Sequence, residues 1–143
     1  MPDLRVRALA WLARREHSRA ELGRKLAAYA ESEDEVERLL DSLEAERLLS
    51  DGRYASERAA VRGLRYGNLR LKQELQAQGV DGETLAAALA GSGDERERCR
   101  AVWAKKFGVL PASAEERARQ MRFLQYRGFS PESIRSVLRA ERI

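Results

Sequence analysis

The chain has 143 residues, and its 27 Lys and Arg against 23 Asp and Glu leave a net charge of +4. Ala, Leu, Arg and Glu make up 81 residues, Val, Ile and Thr only 10, and Gly and Pro 13, which excludes sheets and the turns of a sandwich or barrel and predicts an all-α protein. One histidine, His17, and one cysteine, Cys99, exclude an internal disulfide and a zinc site with the usual ligands, and the longest uncharged run, Thr84 to Gly93, is too short to cross a bilayer.

The N-terminus sets Asp3, Arg5, Arg7, Arg14 and Arg15 around a short apolar stretch, which is no signal peptide and points to the cytoplasm. Leu4, Ala8, Trp11 and Leu12 form one apolar stripe at helical spacing. His17 reads as a polar turn residue before Ser18, which with Glu21 predicts the start of a second helix. Ser32 with Glu35 reads as a capping box opening a third. Glu31, Glu33, Asp34, Glu35 and Glu37 crowd its first turns, where negative charge matches the helix dipole rather than forming an acid/base pair.

Ser50 or Asp51 caps the next helix, whose predicted stripe is Tyr54, Val61 and Leu64. Asn68 opens the helix after it and Asp81 the one after that. Cys99, Trp103 and Phe107 then form a stripe that places the cysteine in a core. Ser113 with Glu116, and Ser130 followed by Pro131 at the first helical position, predict the last two helix starts.

These elements repeat. Leu75 to Leu85 lines up with Leu124 to Ile134 at an offset of 49, and the same offset backwards joins Leu26, Val36 and Leu40 to Leu75, Leu85 and Leu89, then to Leu124, Ile134 and Leu138. Three tandem three-helix units follow, 1–49, 50–92 and 93–143. Each is too small to bury much core alone, so an elongated, curved, monomeric array is expected rather than one globule.

No phosphate loop, nucleophile elbow or helical metal motif is present, so neither catalysis nor a cofactor is expected. Charge is more informative: the units carry −2, +1 and +5 in chain order, which directs a polyanion or an acidic surface to the C-terminal end. Arg outnumbers Lys 23 to 4, suiting forked contacts with phosphate and carboxylate, although codon usage in a GC-rich genome would raise Arg and Ala together. The candidate contact residues are Arg58, Arg62 and Arg65, then Arg70 and Lys72, then Arg119, Arg122 and Arg127 with Phe123 and Tyr126, and finally Arg135, Arg139 and Arg142. Arg interleaved with aromatics suits stacked single-stranded bases. Phe123 aligns with Lys25 and Glu74, which favours exposure, while a contact between units would use an aromatic there equally well.

The stretch Leu48-Leu49-Ser50-Asp51-Gly52-Arg53-Tyr54-Ala55 resembles the signature of the RecX family of bacterial recombinase regulators. The likeness continues through Arg62, Tyr66-Gly67-Asn68-Leu69-Arg70-Leu71, Glu74-Leu75 and Gly79-Val80, with Arg65 where the family has a turn glycine and Asn68 where it has proline. In this reading Tyr54 and Ala55 face inward, Gly67 makes the turn, Leu71 and Leu75 pack the second helix and Gly79 closes it. The resemblance implies a protein that binds the RecA recombinase, chiefly its filament on single-stranded DNA. It would lodge in the filament groove and restrain ATP hydrolysis, strand exchange and co-protease activity. Some members also bind DNA directly.

Two other readings compete. One is a helix-turn-helix DNA-binding protein without a RecA partner, opposed by the 8 acidic and 2 basic residues between Glu31 and Arg47, which a major groove would repel, and retaining only the last helix as a reader. The other is an interaction scaffold with a different partner.

Overall fold

The computed structural model describes residues 3–139, and among them every regular element is an α-helix. In chain order these are α1 (Leu4–Arg14), α2 (Arg19–Ala27), α3 (Glu33–Ala45), α4 (Asp51–Arg62), α5 (Asn68–Ala77), α6 (Gly82–Ala90), α7 (Glu95–Lys106), α8 (Ala114–Tyr126) and α9 (Pro131–Arg139). Most starts are written locally. Ser18, Ser32, Ser50, Asp81 and Ser113 each accept a hydrogen bond from the backbone N–H three residues on, satisfying one of the donors that a helix start leaves free.

The helices group by threes around separate cores. Leu4, Ala8, Leu22, Leu26, Val36, Leu40, Leu43 and Leu49 form the first. Tyr54, Ala55, Ala59, Leu75, Val80, Leu85 and Ala88 form the second. Cys99, Val102, Trp103, Leu124, Phe129, Ile134, Val137 and Leu138 form the third. The columns read from the repeat are all core positions, with Leu89 alone only partly buried. Burial pushes the Cys99 thiol up to about 12, so it is an inert core group.

Three local expectations are corrected. The buried stripe of α4 is Tyr54, Ala55 and Ala59, while Val61 and Leu64 are 62% and 74% exposed, because α6 packs closely on the small face of α4 and leaves the larger aliphatics outside. Asn68 does not cap α5: Gly67 holds the cap position without a side-chain bond, and Asn68 is the first helical residue. His17 is buried, not a solvated turn residue; its ring shares hydrogen bonds with the Arg15 carbonyl at 3.1 Å and Lys25 Nζ at 2.8 Å. That geometry makes Nδ1 the donor and leaves Nε2 unprotonated to accept from the ammonium.

Units meet in chain order. Asp51, the first residue of α4, accepts the backbone N–H of Arg19, the first residue of α2, at 2.7 Å. Beside it Arg53 Nε donates to Glu16 Oε2 at 2.6 Å, and Arg24 donates to Gln78 at 2.6 Å. The next junction repeats the device: Glu95, the first residue of α7, accepts the N–H of Asn68, the first residue of α5, at 2.8 Å. Here backbone joins too, Gly67 N–H donating to the Arg127 carbonyl at 2.8 Å and Leu69 N–H to the Gly128 carbonyl at 3.1 Å. A Cβ at Gly67 would collide with the backbone of Gly128 and Phe129.

Glycines make the matching turns. Gly79 and Gly128, at φ of 78° and 87°, end α5 and α8 in paired bonds that reach back to Leu75 and Gln76 and to Leu124 and Gln125, the left-handed closure glycine permits without strain. Among the described residues every side-chain or backbone hydrogen bond between units joins chain neighbours. The accessible surface of 9120 Å² exceeds the roughly 7,500 Å² expected of a compact chain of this mass. Three small cores in a row give an elongated array.

Two tests follow from these contacts. Gly67→Ala should lower stability by about 1–3 kcal/mol in urea denaturation, since backbone on the facing unit must move. Gly82→Ala, with open space around its Cβ, should be neutral or stabilise by up to about 1 kcal/mol. Burial, with Arg15 and Lys25 nearby, holds the His17 pKa below its ordinary 6.5, so the unfolded chain binds the extra proton and stability falls as pH drops through that value. Glu95 is held below its ordinary 4.5, its burial outweighed by bonds from Ser133, Ser130 and the Asn68 N–H, so its contribution is present above that value and lost below it. Denaturation midpoints across pH should therefore fall in two stages, and His17→Gln should remove the first.

Candidate functional site

The turn from α4 into α5 and the ends of α7 and α8 enclose a groove of about 450 Å³, lined by Leu64, Arg65, Tyr66, Ala101, Val102, Lys105, Lys106, Phe123 and Arg127. It lies over the junction between the second and third units, so the contacts that join them also shape it. Arg98 crosses beneath it from α7, donating to the carbonyls of Gly63 at 3.1 Å and Tyr66 at 3.0 Å and to the Asn68 side chain. Glu95 meanwhile binds the hydroxyls of Ser130 and Ser133 at 2.7 and 2.6 Å, tying the start of α9 to the same point.

No carboxylate lines the groove. Arg127 spends one donor on the Arg65 carbonyl at 3.1 Å, while Arg65, Lys105 and Lys106 make no ion pair among the described residues. The neighbouring Arg62 is committed: it forks onto Glu74 at 3.0 and 2.7 Å and holds that carboxyl below its ordinary range. Arg70 stands 3.5 Å from the same carboxylate and donates to the Tyr126 carbonyl at 3.4 Å.

The aromatic rings are covered. Arg62 and Arg70 each sit 4.4 Å from the Tyr66 ring centre, with Arg127 at 5.4 Å. Phe123 packs edge-on against Phe107 at 5.5 Å, and Arg127 and Lys106 lie over it at 4.9 and 5.4 Å. Of the two placements the sequence left open for Phe123, the structure takes neither fully: it is a half-buried ring closing the third core. Tyr126 is 80% exposed and outside the groove lining.

The predicted contact residues divide among several faces. Arg65, Phe123 and Arg127 come together in the groove, with Arg62 and Arg70 at its edge. Arg58 is exposed over a separate hollow shared with Tyr54, Arg62 and Glu74. Arg119 and Arg122 lie apart, beside Glu115 and Glu116. Lys72, Arg135 and Arg139 are exposed, and Arg142 lies outside the described residues.

The motif positions serve the junctions and the second core: Asp51 and Arg53 hold the first unit, Gly67 and Arg70 meet the third, Tyr54, Ala55, Leu71 and Leu75 are buried, and Glu74 pairs with Arg62. Gly79 abuts Ala20 so closely that a Cβ there would come within 2.7 Å. Sequence reasoning missed Leu64 as a surface residue, Tyr66, and the adjacent pair Lys105-Lys106, although that pair was visible as the chain's one double lysine.

An all-α tandem-repeat protein with a cationic groove between its second and third units is the class these features define. Family models described as the first, second and third three-helix domains of RecX match residues 5–43, 50–89 and 94–138. The chain belongs to the RecX family. The regulatory protein RecX of Herminiimonas arsenicoxydans is 47% identical over 142 residues, covering 97% of this chain and 93% of that one. That of Chromobacterium violaceum is 48% identical over 136 residues, covering 95% and 89%. The crystal structure of RecX from Lactobacillus salivarius superposes with a TM-score of 0.83 at 20% identity, over 96% of this chain and 93% of that one, which is a likeness of fold. Among the described residues no helix is long and apolar enough to cross a membrane.

Because Glu74 offsets two arginines at the groove's edge, Glu74→Gln should raise the salt needed to elute the protein from heparin, and Lys106→Glu should lower it. Glu74 and Arg62 are both partly exposed, so loss of their pairing should cost no more than about 1 kcal/mol of stability.

Proposed function

We propose that the chain regulates the RecA recombinase by binding it, chiefly as the filament on single-stranded DNA, and restrains ATP hydrolysis, strand exchange and co-protease activity in DNA repair and the SOS response. Membership of the RecX family supports the regulatory role. The observation that carries the physical side is the row of three separately cored units with unpaired cations over the second junction. A row of units can lie along the groove of a helical polymer and touch more than one protomer, as a globule of equal mass cannot. The units 1–49, 50–92 and 93–143 are proposed as its three contact modules, acting as a monomer in the cytoplasm.

The cations face a filament that combines acidic protein surface with enclosed nucleic acid, which makes weak binding of free DNA a secondary property of the same surface. Duplex reading by α9 is less favoured. That helix buries Ser133, Ile134, Val137 and Leu138, and its described exposed cations are only Arg135 and Arg139.

The single-strand-dependent ATPase of preformed RecA filaments, titrated with this protein, should be inhibited at amounts well below one molecule per protomer. Absence of inhibition together with tight, sequence-specific binding of naked duplex would replace this reading with that of a helix-turn-helix DNA-binding protein.

A further inference from the structure

Arg65, Lys105 and Lys106 converge without a carboxylate among them, and like charges held this close call for an anionic occupant. The groove is not simply a charged track. Its lining is partly apolar through Ala101, Val102 and Leu64, the last standing 74% exposed, so an occupant can bury aliphatic surface as well as meet charge. Stacking the bases of a single strand here would need open ring faces. Both candidate rings, Tyr66 and Phe123, are already covered by cations of this chain. A volume of about 450 Å³ suits an anchoring side chain and its neighbours better than a run of nucleotides.

We propose that this groove docks an acidic polypeptide segment bearing an apolar anchor, the anchor seated against Leu64, Ala101 and Val102 and its flanking carboxylates paired with Arg65, Lys105 and Lys106. The proposal rests on the reading above that this face meets the partner, and it names the chemistry of what is met. The contact is with a protein tail or loop, and free DNA competes only weakly for the same cations. Arg127 is the groove's fixed cation, since one of its donors is held by the Arg65 carbonyl and it lies over Phe123; Arg65, Lys105 and Lys106, the last leaving its place over Phe123, turn toward ligand carboxylates.

The test uses the full chain and three fluorescent probes: a short peptide of Asp and Glu around a central Leu-Phe pair, the same peptide with Ser-Ser at the centre, and an oligo-dT of equal length. Anisotropy titrations are run at low and physiological salt. The anchored peptide should bind about tenfold or more tightly than the Ser-Ser control. Leu64→Ser, an exposed substitution that leaves the fold intact by circular dichroism, should erase most of that difference. Arg65→Glu with Lys105→Glu should weaken both peptides about tenfold.

Equal affinity for the two peptides, or no change in either variant, would overturn the proposal. Oligo-dT that binds more tightly and displaces the peptide would assign the groove to phosphodiester instead. Self-association abolished by Arg65→Glu with Lys105→Glu would assign it to a second copy, through the acidic start of α3. The two readings fail separately. Filament inhibition without peptide binding removes only the groove's proposed occupant, whereas peptide binding without inhibition removes only the RecA assignment.

Discussion

The array depends on how its middle helices begin. A helix start leaves backbone N–H groups without partners, and burying them against a neighbour costs free energy unless something accepts. At each junction the acceptor comes from the next unit: Asp51 takes the Arg19 N–H, and Glu95 takes that of Asn68. The acid opens its own helix and completes another, so its negative charge lies at two positive helix ends at once. In this way cores too small to be stable alone are coupled by polar contacts that do not require a shared apolar interface.

The two junctions are not equally tight. The first is made by side chains and the close approach of Gly79 to Ala20, whereas the second adds two backbone bonds through Gly67 and Leu69 and the buried reach of Arg98. The second and third units are therefore the more firmly joined pair, and the groove lies on their seam. A site on a seam of this kind is shaped by backbone rather than by mobile side chains, which favours a fixed arrangement of charge.

The large arginine content separates into two populations with different physics. Arg19 gathers Glu37, Asp41 and Glu44, Arg53 holds Glu16, and Arg62 forks onto Glu74; these are internal fasteners. Among the described residues Arg65, Lys105 and Lys106 have no such partner, nor do Arg58, Lys72, Arg119, Arg122, Arg135 and Arg139, and what sets the first three apart is that one groove gathers them. Net charge by unit pointed toward the C-terminal end without distinguishing them, since counting letters treats a paired guanidinium and a free one alike.

Local chemistry was legible in the sequence. The stripes and the Ser and Asp caps depend on residues within one or two turns of each other, the columns at an offset of 49 repeat that local pattern along the chain, and together they placed the helices, the repeat and most of the core. The RecX-like motif was legible as well, but not the reason for it: Asp51, Arg53 and Gly67 act on residues of another unit, and nothing near them in the chain reveals that. Val61 and Leu64 were misplaced because helical spacing cannot tell which aliphatics a partner will cover, and α6 preferred the small face of Ala55 and Ala59. By itself the sequence determined an all-α chain of three repeated units with its positive charge toward one end. Only the tertiary structure decided which cations remain free and which rings are covered, because both depend on carboxylates and carbonyls brought in from distant turns.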